Sequence, residues 1–169
     1  MDSYSDDPGR NRTERLEVGE GLARREPTNR ELYPHFLQIQ TRWMDNDVYG
    51  HVNNVIYYSY FDTVVNEYLI SSGVLDISGG EVIGLVAHTE CDYFAPLSFP
   101  QKVDAGLRVE RLGGSSVTYE IGLFNPGSDE AVAVGSFVHV YVDRESRRST
   151  GLPAPLREAL ERITTGGAG

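Results

Sequence analysis

Residues 36–43 alternate between apolar and polar side chains, which is the period of a half-buried β-strand. Its apolar face is formed by Leu37, Ile39, Thr41 and Trp43. Directly downstream, residues 54–70 carry apolar side chains on nearly every side over about four to five helical turns. This composition predicts a long helix that is buried in the core.

Four further β-like segments follow, at residues 84–94, 103–112, 117–124 and 132–142. The turn-forming sequences GGSS and NPGSDE separate the last three segments, which are therefore predicted to form an antiparallel meander. A short amphipathic helix is expected at 156–163. One strand, a long helix and four antiparallel strands predict an α+β fold in which a curved antiparallel sheet wraps around one long central helix.

The chain of 169 residues fits one domain. Residues 1–30 contain few large apolar side chains and cannot offset the entropy cost of ordering, so a flexible N-terminal tail is expected. Residues 31–163 form the predicted domain, and the Gly-rich residues 164–169 are expected to be a flexible end.

Charge and composition exclude several classes of function. The formal net charge of −10 argues against a nucleic-acid surface, which requires clustered Lys and Arg. The single cysteine, Cys91, has no partner for an internal disulfide. The sequence shows neither a signal segment nor an 18-residue apolar run, so we expect a cytoplasmic protein without a membrane span.

The densest group of chemically useful residues is MDNDVYGHVNN at residues 44–54, between the predicted strand and the long helix. Asp47 precedes a helix that begins near Asn53 or Asn54, and the first N–H groups of a helix lack intrahelical acceptors. A carboxylate can act as a nucleophile or general base, and free N–H groups can stabilise an oxyanion. Gly50 allows a tight turn or a close approach of the backbone to a ligand. Alternatively, both acids of this segment only cap turns and the helix.

Residues 34–142 resemble the hotdog-fold acyl-CoA thioesterases of the 4-hydroxybenzoyl-CoA thioesterase type. The strongest part of the resemblance is D-x-D-x-x-G-x-V at Asp45–Val52, followed by Tyr57 on the helix. YFAPLSFPQKV at residues 93–103 and RLGGSSVTYEI at residues 111–121 are also similar to the family. The resemblance implies a hotdog fold and hydrolysis of an acyl-CoA thioester.

The same resemblance assigns the catalytic carboxylate to Asp47, as either nucleophile or general base. The candidate oxyanion donor is the Asn54 N–H, because the first N–H groups of the helix have no intrahelical acceptor. HVNN at residues 51–54 resembles plant-type acyl-carrier-protein thioesterases, in which the histidine is catalytic, so His51 is a further catalytic candidate. The plant-type enzymes have an asparagine two residues before that histidine, whereas this chain has Tyr49.

The candidate substrate-binding residues are Gly50, Tyr57, Glu90, Ser115 and Ser116. Glu90 is a candidate to face the site from a neighbouring strand, and the two serines to contact pantetheine or phosphate. Lys102, Arg108 and Arg111 are interpreted as a local cationic patch around the GGSS turn. Coenzyme A enters as part of the substrate, and no cofactor is expected. No metal is expected either, because Asp45, Asp47 and His51 lack a second histidine or a cysteine at ligand spacing.

A single sheet around one helix leaves an edge strand and one exposed face, which favours self-association. The resemblance implies a homodimer or homotetramer with active sites at subunit interfaces. The alternative hypothesis is a non-catalytic hotdog protein that binds or senses acyl thioesters. The residues do not distinguish short, long and aromatic acyl groups, or coenzyme A from acyl carrier protein.

Overall fold

The computed structural model describes residues 25–165. In this part of the chain, five strands form one antiparallel sheet that carries two α-helices. The strands are β1 (His35–Gln40), β2 (Val82–Tyr93), β3 (Lys102–Leu112), β4 (Ser116–Phe124) and β5 (Ala133–Asp143). The helices are α1 (Asn54–Ser71) and α2 (Ala154–Glu161). The predicted α+β architecture is confirmed.

The strand order across the sheet is β1-β3-β4-β5-β2. The meander predicted for β3, β4 and β5 is confirmed, because these three strands are consecutive neighbours with antiparallel pairing. β1 joins the meander beside β3, whereas β2 pairs with β5 and forms the other edge. The two edge strands are therefore both brought in from earlier in the chain.

Helix α1 packs across the inner face of the sheet, over β1 and β3. Its buried side chains form one stripe that faces the sheet: Tyr57, Tyr60, Phe61, Val64, Val65, Tyr68 and Leu69. The long helix is confirmed, but the prediction that it is buried on all sides is wrong. Val55, Asp62 and Ile70 lie on its exposed side, because the sheet covers only one face of the helix.

The predicted first strand ends earlier than the alternation suggests. β1 stops at Gln40, and Trp43 lies in a 3₁₀ turn with 82% of its surface exposed. The chain leaves the sheet here because the Thr41 hydroxyl is held by the carbonyl of Gln101 at 2.5 Å and because Asp45 caps the following turn. The placement of Trp43 on the apolar face of a strand is therefore wrong.

Residues 25–33, the N-terminal strap, lie against the outer face of the sheet. Glu120 of β4 is fully buried beneath the strap and accepts hydrogen bonds from Arg25 and from the Tyr33 hydroxyl (2.9 Å). Arg108 of β3 donates to the same carboxylate at 2.8 Å. Residues 25–30 of the predicted tail thus pack on the domain, whereas residues 1–24, and 166–169 of the predicted flexible end, lie outside the described residues.

Helix α2 closes the end of the inner face beside the C-terminal half of α1. The Tyr68 hydroxyl of α1 donates to the carbonyl of Ala159 at 2.5 Å, and Leu156 and Leu160 enter the main core. In residues 25–165, no helix is long and apolar enough to cross a membrane.

Candidate active site

The loop between β1 and α1 is folded by its own backbone and by the β2–β3 connection. Asp47 N–H donates to the carbonyl of His51 at 2.7 Å, and Gly50 N–H donates to the carbonyl of Asp47 at 3.2 Å. Gly50 has φ +80, which favours glycine, and a Cβ there would meet no atom within 4 Å. Gly50 is therefore needed for the tight turn rather than for space. Val52 N–H donates to the carbonyl of Leu97, which fixes the loop to the β2–β3 connection.

Asp45 is fully buried at the base of this loop. Its carboxylate accepts the Arg42 backbone N–H at 2.8 Å, the Arg42 guanidinium at 2.9 Å and the Tyr60 hydroxyl at 2.7 Å. Burial alone raises the pKa of Asp45, but these donors outweigh it and the net pKa lies below the ordinary value. Asp45 therefore orients the loop, because its carboxylate holds Arg42 and Tyr60 in place.

Asp47 is only half-buried and has a different environment. Its Oδ1 accepts the backbone N–H groups of Tyr49 at 2.8 Å and His51 at 3.3 Å, which is an Asx-type turn. Its Oδ2 has no hydrogen-bond or ion-pair partner within residues 25–165. One carboxylate oxygen thus organises the loop, and the other is free for chemistry.

The N-terminus of α1 presents a free donor beside this loop. Asn53 caps the helix, because its side chain accepts the Val55 N–H at 3.2 Å and its carbonyl accepts the Ile56 N–H at 2.9 Å. The Asn54 N–H has no acceptor in the described part of the chain. An unpaired N–H at the positive end of a helix dipole is suited to stabilise an oxyanion.

A cavity of about 280 Å³ opens at this helix end. It is lined by His51, Val52, Asn54, Tyr57, Tyr93, Ala95 and Pro96. Tyr57 is 3% exposed, and its ring packs edge-to-face on Tyr93 with centroids 4.9 Å apart. Its Oη accepts the Leu97 N–H at 3.2 Å. Burial raises the pKa of Tyr57 to about 12, and the nearby charge of Asp47 adds a smaller increase.

Five of the predicted site residues are therefore close together. His51, Asn54 and Tyr57 line the cavity, Gly50 shapes the adjacent turn, and Asp47 is near enough to affect the Tyr57 hydroxyl electrostatically. The His51 backbone binds Asp47, whereas its exposed side chain contacts no hydrogen-bonding partner in residues 25–165.

The structure does not bring Glu90 to this cavity. Glu90 pairs in register with Ser136 of β5. Its neighbours Thr89 and Cys91 pair with Phe137 and Gly135. Phe137 and Gly135 both lie against Phe61 of α1. Because side chains alternate along a strand, Glu90 points away from α1. It is exposed, and its carboxylate lies 3.8 Å from His88 Nε2.

Ser115 and Ser116 lie at the opposite end of the sheet from the cavity. Ser116 begins β4 next to Leu112, the last residue of β3, whereas the cavity lies near the first residue of β3. β3 spans 11 residues, so more than about 30 Å separates its two ends. The predicted cationic patch is also divided: Arg108 is paired with buried Glu120, and Lys102 lies at the cavity end of β3. Lys102 therefore does not flank the GGSS turn, so the patch of three cations predicted there is wrong.

Tyr93 is the functional candidate that the sequence analysis missed. It ends β2, and its hydroxyl donates to the Asn54 carbonyl at 3.3 Å. Nothing in the local pattern indicates that this strand end meets the helix, because the two are 39 residues apart. The available signal was its position at the start of the YFAPLSFPQKV segment.

Two other possibilities receive no support as the reactive centre. Burial raises the pKa of the Cys91 thiol to about 12, so the thiol stays protonated at neutral pH. In residues 25–165, no group of three or more His, Cys, Asp or Glu side chains could hold a metal ion.

A larger cavity of about 440 Å³ lies between the N-terminal strap and the turn joining β4 to β5. It shares Ala95 with the smaller cavity. Its lining contains one acid, Glu130, and no helix N-terminus. The smaller cavity is lined by the N-terminal residue of α1, and the loop beside it contains Asp47, so it is the candidate active site.

Residues 41–160, more than half of the chain, match the family model described as the thioesterase-like superfamily. The chain belongs to the thioesterase-like superfamily. The matched region contains the loop, α1, the whole meander and nearly all of α2. The resemblance to hotdog thioesterases is confirmed at this level, and thioester hydrolysis is the class of activity that the family supports.

Solved structures of similar proteins agree with this membership. The chain is 58% identical to the PA5185 protein from Pseudomonas aeruginosa strain PAO1, with a TM-score of 0.81 and coverage of 83% of this chain and 99% of that one. The PA2801 protein from the same species is 31% identical, with a TM-score of 0.69 and coverage of 75% and 98%. Slr0204, a 1,4-dihydroxy-2-naphthoyl-CoA thioesterase from Synechocystis, shares the fold at 20% identity, with a TM-score of 0.68 and coverage of 74% and 93%.

Proposed function

We propose that this member of the thioesterase-like superfamily hydrolyses acyl-CoA to a free acid and coenzyme A. The observation that carries the proposal is the combination of two groups near a small cavity. One is the Asp47 carboxylate, of which only one oxygen accepts hydrogen bonds, and the other is the unpaired Asn54 N–H at the helix N-terminus. Neither Asp47 Oδ2 nor the Asn54 N–H has a partner in the described part of the chain. The naphthoyl-CoA thioesterase Slr0204, which has the same fold, supports coenzyme A as the thiol carrier.

Two routes are consistent with this geometry. In one, Asp47 removes a proton from water, the water oxygen bonds to the thioester carbon, the C–S bond breaks, and the departing thiolate takes up a proton. In the other, an Asp47 oxygen bonds to that carbon and expels the thiolate, and water then hydrolyses the mixed anhydride. In both, negative charge develops on the carbonyl oxygen, where the Asn54 N–H stabilises it.

Thiol release from short, long and aromatic acyl-CoAs tests this proposal. We expect wild type to turn over at least one of them and Asp47→Ala to lose about 100-fold or more in kcat, as expected for loss of a base or nucleophile. Asp47→Asn keeps the oxygen that accepts the turn N–H groups and is expected to lose activity with unchanged folding.

Asp76 provides a matched control. Its exposed carboxylate accepts the N–H groups of Ser78 and Gly79, so it is a turn acid, and it lines neither of the two cavities described above. Asp76→Asn should keep full activity. Equal, small effects of Asp47→Asn and Asp76→Asn would reduce Asp47 to a turn residue.

The alternative function is a non-catalytic hotdog module that binds or senses acyl thioesters. The Asx-type turn at Asp47 favours it, because that contact alone gives the carboxylate a structural role. This alternative predicts binding of acyl-CoA without release of thiol, and Asp47→Asn should then keep its affinity.

We also propose that the protein forms at least a homodimer through β2. This edge strand is 12 residues long and exposes apolar side chains, including Val86 at 51%. Antiparallel pairing of two β2 strands would bring the Val82 end of one beside the Tyr93 end of the other. Ser115, whose carbonyl accepts the Tyr141 N–H at 2.7 Å, lies at the Val82 end, since Tyr141 pairs with Gly84. The partner's serine turn would thereby approach the cavity.

Sedimentation velocity tests this assembly. Val86→Asp places like charges near the two-fold axis and is expected to shift the protein toward the monomer. Ile77→Asp, at a residue 71% exposed and outside β2, should leave the assembly unchanged. A monomeric wild type, or equal effects of both variants, would contradict the β2 interface.

A further inference from the structure

Within the described residues, the Tyr57 hydroxyl is a buried donor without an acceptor. Its Oη accepts one hydrogen bond, from the Leu97 N–H at 3.2 Å, and the hydroxyl proton has no acceptor in residues 25–165. A buried polar hydrogen normally has a partner, because leaving it unpaired costs about 1–3 kcal/mol. Tyr57 lines the cavity, so an acceptor for its hydroxyl proton can come from a ligand there.

The position of Tyr57 on α1 directs its hydroxyl toward the helix N-terminus. Tyr57 and Asn54 are three residues apart and therefore share a helix face. Long helical side chains lean back over the preceding turn, which here is the turn that presents the Asn54 N–H. The edge-to-face contact with Tyr93 and the bond from Leu97 hold the ring in place. The Asn54 N–H and the Tyr57 hydroxyl consequently belong to residues that line the same small cavity.

We infer that Tyr57 is a catalytic residue: the Asn54 N–H donates one hydrogen bond to the thioester carbonyl oxygen, and the Tyr57 hydroxyl donates the second. This inference rests on the proposed thioesterase function and adds a donor to the same site. Leu97 fixes the lone-pair side of the hydroxyl, so the proton is directed away from the β2–β3 connection. Because burial raises the pKa of Tyr57 to about 12, the hydroxyl remains protonated at neutral pH and can donate.

Tyr57→Phe keeps the ring and its contact with Tyr93 but removes the donor. Loss of one oxyanion donor is expected to lower kcat about 100-fold with little change in KM. Tyr68→Phe is the matched control, since it removes a buried hydroxyl from the same helix far from the cavity. It should keep full activity. Equal kcat values for wild type and Tyr57→Phe would overturn the inference, provided that Asp47→Ala is inactive.

Because Tyr57→Phe also leaves the Leu97 N–H unpaired, a second variant separates donation from structure. Replacement of Tyr57 by 3,5-difluorotyrosine keeps both the ring and the hydroxyl oxygen but makes the phenol more acidic. If the hydroxyl donates in the transition state, kcat should fall at an alkaline pH at which wild type is still active. An unchanged pH profile would indicate a purely structural hydroxyl.

A binding measurement decides the inference even without turnover. The probe is an acyl-CoA ketone analogue in which CH₂ replaces the thioester sulfur, with ¹³C at the carbonyl. Its infrared carbonyl band, bound to wild type, should lie at lower frequency than in Tyr57→Phe. An identical band in both proteins would overturn the donor role of Tyr57. It would not bear on thioesterase activity, which the turnover assay tests separately. If wild type releases no thiol, only the proposed hydrolysis fails; if it does not bind the analogue either, both fail.

Discussion

The outer face of the sheet and the loop before α1 each contain a conspicuous carboxylate, and their environments are opposite. Glu120 is fully buried and accepts from Arg25, Arg108 and Tyr33. Asp47 is half-buried, and its Oδ2 has no partner in the described part of the chain. A buried charge persists only when its hydrogen-bonding capacity is filled, so Glu120 is structural. An incompletely satisfied carboxylate in the loop beside a cavity can still accept a hydrogen bond from a substrate or water.

The same contrast separates the two acids of D-x-D. Asp45 is saturated by Arg42 and Tyr60, whereas Asp47 is half-saturated. The structure thus distinguishes residues that hold the site from residues that are free to react. The following predictions test this distinction, from the largest expected effect to the smallest.

Glu120→Ala should lower the free energy of unfolding by about 3–5 kcal/mol, because it leaves two partly buried arginines and the buried Tyr33 hydroxyl without their shared acceptor. Urea denaturation followed by circular dichroism measures this loss. Glu110→Ala, at an exposed residue of β3, is the control and should change stability by less than about 0.5 kcal/mol. Equal effects would show that burial of Glu120 does not make it structural.

Asp45→Asn should lower the free energy of unfolding by about 1.5–3 kcal/mol, the range for hydrogen bonds to a charged group. The amide cannot accept from both the Arg42 guanidinium and the Tyr60 hydroxyl. Asp47→Asn should change stability by about 0.5 kcal/mol or less, because its amide oxygen can still accept the turn N–H groups. Denaturation of both variants checks this, and a larger loss for Asp47→Asn would reverse the assignment.

Acid should destabilise the protein through the saturated carboxylates. Burial raises the pKa of Glu120 and of Asp45, but the donors around each outweigh burial and hold the net pKa below its ordinary value. The pKa of these carboxyl groups in the unfolded chain is about 4, and it is lower in the folded protein. The ionised carboxylates therefore stabilise the folded state above about pH 4, and this stability is lost as the pH falls through the folded-state pKa. Denaturation midpoints from pH 7 downward should therefore fall more steeply in wild type than in Glu120→Gln.

His51→Ala should have the smallest effect on folding, less than about 0.5 kcal/mol, because the exposed side chain has no hydrogen-bonding partner in residues 25–165. Its kcat on the best acyl-CoA should fall less than that of Asp47→Ala. Steady-state kinetics checks this. A loss as large as that of Asp47→Ala would make His51 part of the reactive centre.

Short-range patterns predicted most of the elements. The meander followed from alternation and from the GGSS and NPGSDE turns, since these signals act between neighbouring residues. The group of Asp47, Gly50 and Asn54 was also found from the sequence, because these residues lie close together along the chain, and the family resemblance added Tyr57. Alternation overextended β1 to Trp43, since an apolar side chain does not show where a chain leaves a sheet.

The sequence by itself determined the order of elements, the helix N-terminus after an acid, and the tight turn at Gly50. Only the tertiary structure decided that Tyr93 meets Asn54, that Glu90 points away from α1, and that Ser115 lies at the far end of the sheet. Those outcomes depend on pairing between strands distant along the chain, which sets the face and the end on which each side chain lies. Local propensity contains no information on that register.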